Sequence, residues 1–165
     1  DDYVTAALTS LSWLAGAQSG EHGQFVPIGC LGFYQQGGAR TRFDQQPIEA
    51  YATIGAYLDA FRATNDAVWR QQATRVFGWF LGDNDLGLAL YDAQTGACCD
   101  GLQPDRVNQN QGAESSLACL LASLELRLSE IKVHAAEAGD EAGTKATEEA
   151  IRLLSAQSTV VGLTL

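Results

Sequence analysis

Gln46-Pro47-Ile48-Glu49-Ala50 and Gln111-Gly112-Ala113-Glu114-Ser115 share one pattern, Gln-x-x-Glu followed by a small residue. Each opens an apolar periodic segment, and each follows a long polar loop. They stand 65 positions apart, about the length that two helices and their connections consume. The repetition predicts a recurring helical hairpin, with equivalent helix starts gathered on one side of the molecule. Such a chain is all-α, built of antiparallel helical hairpins.

The flanking segments agree with that reading. Val4, Ala7, Leu8, Leu11, Leu14 and Ala15 recur at helical spacing, so an amphipathic helix is expected over roughly the first 17 residues, ended by Gly20 and Gly23. From Gln24 to Arg42, glycines alternate with Phe25, Val26, Ile28, Phe33 and Tyr34, which predicts a structured loop with short β pairing. Pro47 suits a first helical position, and Tyr51, Ile54, Leu58 and Phe61 form a stripe behind it. Asp66 is the expected N-cap of the next helix, whose apolar face is Trp69, Ala73, Val76, Phe77, Phe80 and Leu81. The short connection between these two helices predicts antiparallel neighbours.

Residues 88–91, 92–96 and 97–99 then read as a strand, a turn and a return strand inside a long loop. A further helix is expected from about Gly112, with Leu117, Leu120, Leu121, Leu124 and Leu128 as its buried stripe. After Glu130 the texture becomes rich in Ala and Glu. The reading is therefore a helical domain over 1–130 and an acidic helical tail over 131–165, its apolar end from Val160 either docked or frayed.

Composition excludes some functions. With 10 basic and 20 acidic residues the net charge is −10, a field that repels nucleic acid and anionic membranes. No apolar run approaches the roughly 20 residues needed to span a bilayer, and no secretory leader is visible. The chain begins Asp1-Asp2 and has no Met, so it is read as processed or as a piece of something longer. Cys30, Cys98, Cys99 and Cys119 fit no zinc or redox spacing and are read as reduced thiols of a cytoplasmic protein. His22 and His134 stand too far apart for a metal site, and no phosphate-loop or dinucleotide fingerprint occurs, so no metal or cofactor is expected. Trp13, Trp69 and Trp79 lie on helical stripes and are expected in the core.

Two polar clusters remain. The first is Arg40, Arg42, Asp44, Gln45, Gln46 and Glu49; the second is Asp100, Asp105, Arg106, Asn108, Asn110, Gln111 and Glu114. Carboxylates and amides take pairs of sugar hydroxyls, arginine holds an anionic group, and rings such as Tyr34 stack on the apolar sugar face. The structural alternative is local: Glu49 and Glu114 fall at the third helical position, where a carboxylate serves helix capping. Asp100 and Asp105 flank Gly101 and Pro104, and turn formation accounts for them equally well.

Several blocks in order carry a resemblance: 25–29 (Phe-Val-Pro-Ile-Gly), 42–50 (Arg-Phe-Asp-Gln-Gln-Pro-Ile-Glu-Ala), 79–87 (Trp-Phe-Leu-Gly-Asp-Asn-Asp-Leu-Gly), and Asp100-Gly101-Leu102 through Glu114-Ser115. Together, over residues 3 to 127, they resemble the C-terminal helical region of bacterial proteins labelled glycosyltransferases. In that family this region is similar to the six-hairpin α/α-toroid glycosidases and often follows a nucleotide-sugar transferase domain. The resemblance implies part of an (α/α) toroid, with β-hairpin-like loops and work on an oligosaccharide. A complete toroid needs about twice this length, which puts independent catalysis in question. On this reading Asp44, Glu49, Asp105 and Glu114 are the candidate catalytic carboxylates, Asp105 foremost as acid or base because it sits in a loop. Arg42, Gln46, Asp100, Arg106, Asn110 and Tyr34 are the candidate sugar-binding residues. The alternative is a non-catalytic scaffold that binds a neighbouring transferase domain or a second copy of itself.

Overall fold

The computed structural model describes residues 2–32, 34–138, 145, 146 and 149. Its helices are α1 (Asp2–Ala17), α2 (Pro47–Thr64), α3 (Ala67–Gly78) and α4 (Ala113–Ala138), and a 3-10 turn, Trp79–Leu81, follows α3. The strands β1 (Gly101–Leu102) and β2 (Val107–Asn108) form a two-residue antiparallel pair. The protein is thus mostly helical, and no described helix is long and apolar enough to cross a membrane. It divides into two compact units, Asp1–Ser123 and Leu124–Leu165, with the division inside α4. Most of the expected acidic tail, including the apolar end from Val160, lies outside the described residues, as does Phe33.

Local chemistry sets the central hairpin. Pro47 occupies the first turn of α2, where the absent N–H leaves no bond unmade. Asn65 ends α2 in the left-handed conformation (φ 54°), its N–H donating to the Phe61 carbonyl. Asp66 then caps α3 by accepting a 3.0 Å bond from the Val68 N–H. Helices α2 and α3 fold back on one another, and Tyr57 stacks on Trp69 with centroids 5.8 Å apart. Ile54, Tyr57 and Leu58 of α2, Val76 of α3, and Trp79, Phe80, Phe25 and Leu102 are fully buried. They form the core of the first unit.

Two expected apolar stripes are placed differently. On α4, Leu117, Leu120 and Leu124 are exposed (54%, 53% and 37%), while Ser115, Ala118, Cys119 and Ala122 are buried. The loop before α4 comes too close for leucines, the Cys98 N–H donating to Ser116 Oγ at 3.3 Å. Small residues therefore face it. Helix α1 has no fully buried residue, and Trp13 is 61% exposed rather than in the core. Its Val4, Leu8, Leu11 and Leu14 line one wall of an apolar groove of about 610 Å3, opposite Ala56, Ala60 and Ala63 of α2.

Candidate functional site

The residues 44–45 and 100–102 are brought together by backbone pairing. Gln45 N–H donates to the Leu102 carbonyl at 3.0 Å and Leu102 N–H returns a 2.9 Å bond to the Gln45 carbonyl. Such close approach requires a glycine at 101, since a Cβ there would stand 2.7 Å from the Gln45 carbonyl oxygen. The bridge zips the two sequence clusters into one site. Around it lies a pocket of about 370 Å3, lined by Asp44, Gln46 and Pro47 from the start of α2 and by Asp100, Asn108 and 112–115 from the start of α4.

Within that pocket the carboxylates are not equivalent. Asp100 is spent on structure: its Oδ1 accepts from the Gly112 N–H at 2.7 Å, and its Oδ2 accepts from the Asn110 amide. The Ser115 hydroxyl does most to hold its carboxyl below the ordinary range; burial opposes this, and Asn110 and Gly112 add to the lowering. It satisfies the donors at the entry to α4. Asp44 is the opposite case. Its Oδ1 is buried without a hydrogen-bond partner among the described residues, and burial pushes its carboxyl up. Glu114 lines the pocket exposed, and no hydrogen bond or ion pair engages its side chain among the described residues. Gln46 lines it too; its amide makes only a 3.5 Å contact with Cys30 Sγ.

The other candidates lie elsewhere. Glu49 neither caps α2 nor lines the pocket. Its Oε1 accepts from the Ile28 N–H at 3.0 Å and from the Gln18 amide at 3.2 Å, anchoring the loop after α1. Burial raises its pKa, against the lowering effect of those two donors and of Arg40. Asp105 and Arg106 pair with each other at 3.0 Å between β1 and β2, 71% and 66% exposed, and neither lines the pocket. Arg42 forms a two-pronged pair with Asp85, both bonds 2.9 Å. Among the described residues no arginine or lysine lines the pocket, where a cation for an anionic group was expected. Tyr34 stands against Trp13, outside it.

Sequence reasoning placed Gln45 among the sugar-binding amides of the first cluster and gave Asp85 no role, yet both hold the site in place. Gln45 is fully buried: its Oε1 accepts from Trp79 Nε1 at 2.8 Å, and its Nε2 donates to Asp85 Oδ2 at 2.9 Å and to the Arg42 carbonyl at 3.0 Å. Asp85 also accepts from the Gln24 amide at 3.0 Å. The signal was an acidic residue in the Gly-rich turn 82–87, read only as loop. Cys98 and Cys119 share a hydrogen bond that pushes the first thiol up and the second down. Among the described residues no group of three or more His, Cys, Asp or Glu is placed to hold a metal ion. In comparison with known proteins, the chain matches no family model and no curated protein.

Proposed function

We propose that the pocket between the starts of α2 and α4 binds an oligosaccharide, within a helical region that is part of an α/α toroid from a carbohydrate-active protein. One observation carries the reading: among the described residues Asp44 holds a buried oxygen with no hydrogen-bond partner, at a polar pocket where Glu114 is also unengaged while Asp100 is committed to structure. Folding alone disfavours an unsatisfied buried acceptor, so a ligand hydroxyl is a fitting partner for it. Gln46 and Asn108 add amides to the lining. Because no cation among the described residues lines the pocket, a neutral saccharide fits better than a uronate or a phosphosugar. If the site is catalytic, Asp44, whose carboxyl burial pushes up, is the candidate acid and Glu114 the second carboxyl of the pair.

The test is oligosaccharide binding and turnover in Asp44→Asn, Glu114→Gln and Asp105→Asn. Loss in the first two with no change in the third supports the pocket. Unchanged behaviour in Asp44→Asn and Glu114→Gln removes it.

A second reading is favoured by the apolar groove of α1 and the exposed leucines of α4. On it the chain is a helical scaffold for a neighbouring transferase domain or a second copy. Analytical ultracentrifugation separates the two, a monomer that binds sugar supporting the first.

A further inference from the structure

A different pair of side chains, remote in sequence from the acidic pocket's lining, meets at the tip of the loop that follows α1. Trp13 projects from α1 and Tyr34 from the loop, with ring centroids 5.9 Å apart and planes within 11°. The loop is fixed by its own limbs: Gly29 N–H donates to the Thr41 carbonyl at 2.7 Å and Cys30 N–H to the Asp44 carbonyl at 3.0 Å. The Arg40 guanidinium donates to the Ala17 carbonyl at the end of α1, tying the loop to the helix that carries Trp13. At the tip, Gly38 N–H donates to the Gln35 carbonyl at 2.9 Å, and the third turn position, Gly37, has φ +76°, which demands glycine.

Trp13, Tyr34, Gln35, Gln36 and Gly37 line a cavity of about 440 Å3 there. The aromatic residues stay 61% and 38% exposed. Among the described residues no charged side chain lines the cavity, and neither glutamine amide is engaged in a hydrogen bond. We infer that the Trp13–Tyr34 cavity is a second saccharide site, one that takes a neutral pyranose.

The chemistry singles out that class. A pyranose presents an apolar C–H face to an indole or phenol ring and a rim of hydroxyls that each act as donor and acceptor. A glutamine amide offers one acceptor and two donors, matching such a rim. A methylated ammonium ion also favours aromatic faces, but among the described residues no carboxylate lines this cavity to balance its charge. A purely apolar partner leaves both amides desolvated and unpaired. The site works without the acidic pocket, so it stands or falls separately from the function proposed above.

The experiment is isothermal titration of the full chain with cellohexaose, maltohexaose, mannohexaose and chitohexaose, with tryptophan fluorescence recorded in parallel. We expect saturable binding of at least one sugar with a shift in emission. In the Asp44→Asn/Glu114→Gln background, which silences the acidic pocket, the binding that remains is abolished by Trp13→Ala, weakened at least tenfold by Tyr34→Ala and weakened several-fold by Gln36→Ala. Helix α1 has no fully buried residue, so circular dichroism of Trp13→Ala should match the parent; Trp13→Phe, which keeps a ring, should retain part of the affinity. The inference is overturned if no sugar binds through Trp13. It is equally overturned if choline alone shifts the emission, or if the shift follows protein concentration without sugar, which marks contact between copies.

Discussion

Asp85 and Asp44 both touch the neighbourhood of Gln45, and the protein treats them in opposite ways. Asp85 has a side chain only 1% exposed, yet it accepts bonds from Arg42, Gln24 and Gln45. Burial is the largest single influence on it and acts upward, but the donors together outweigh burial and hold its pKa below the ordinary value. Asp44, adjacent to Gln45 in the chain, has a buried oxygen with no donor among the described residues, and burial pushes it up. One carboxylate is committed to holding the loops together. The other is left open at a pocket, which is the pattern of a residue kept for a ligand.

The largest expected effect follows from the committed acid. Asp85→Ala removes the acceptor of the Gln24 amide, one of the two acceptors of the Gln45 amide and the partner of Arg42, and should lower unfolding free energy by about 2–4 kcal/mol. Urea denaturation measures it, and a change below about 0.5 kcal/mol, the scale of an ordinary surface substitution, contradicts the structural role. Next is Gly101→Ala, whose added carbon meets the Gln45 carbonyl oxygen at 2.7 Å. It should cost about 1–3 kcal/mol by overpacking and reduce ligand binding, because the bridge that brings Asp44 to Asp100 is pushed apart.

The pH dependence should separate the two acids by sign. A lowered folded pKa means that Asp85 stabilises above its unfolded value, near 3.8, and that this stability is lost as pH falls through the folded value. Asp85→Asn should therefore flatten the acid limb of a stability profile below about pH 4. A raised folded pKa works the other way: the Asp44 contribution favours folding at acid pH and is lost as pH rises through that value. The smallest effect follows. Asp44→Asn should melt at or slightly above the parent at neutral pH, within about 0.5 kcal/mol, while losing saccharide binding at the acidic pocket. A clear loss of stability places Asp44 with Asp85 instead.

Much of the helical layout was legible because it depends on local signals. Pro47 and the Asp66 cap mark helix starts through bonds made within a few residues, and apolar periodicity marks the helices between. The repeated Gln-x-x-Glu pattern also pointed to two helix starts, and those starts share one pocket lining. Side-chain roles were less legible, because they depend on partners far away in sequence. Glu49 is engaged by Ile28 and Gln18, and Arg42 by Asp85, across 21, 31 and 43 positions. No spacing rule announces such pairs. The α4 leucines misled for a related reason: hydrophobic periodicity shows that a face is apolar, while the approach of the 97–112 loop decides which residues are covered.

Carboxyl-detected NMR titration of the aspartates tests the contrast most directly, since one experiment follows both groups. The account predicts that the Asp44 carboxyl titrates above the ordinary value of 3.8 and the Asp85 carboxyl below it, with Asp44 alone shifting when a saccharide is added. An Asp44 midpoint at or below that of Asp85, unmoved by any sugar, contradicts it.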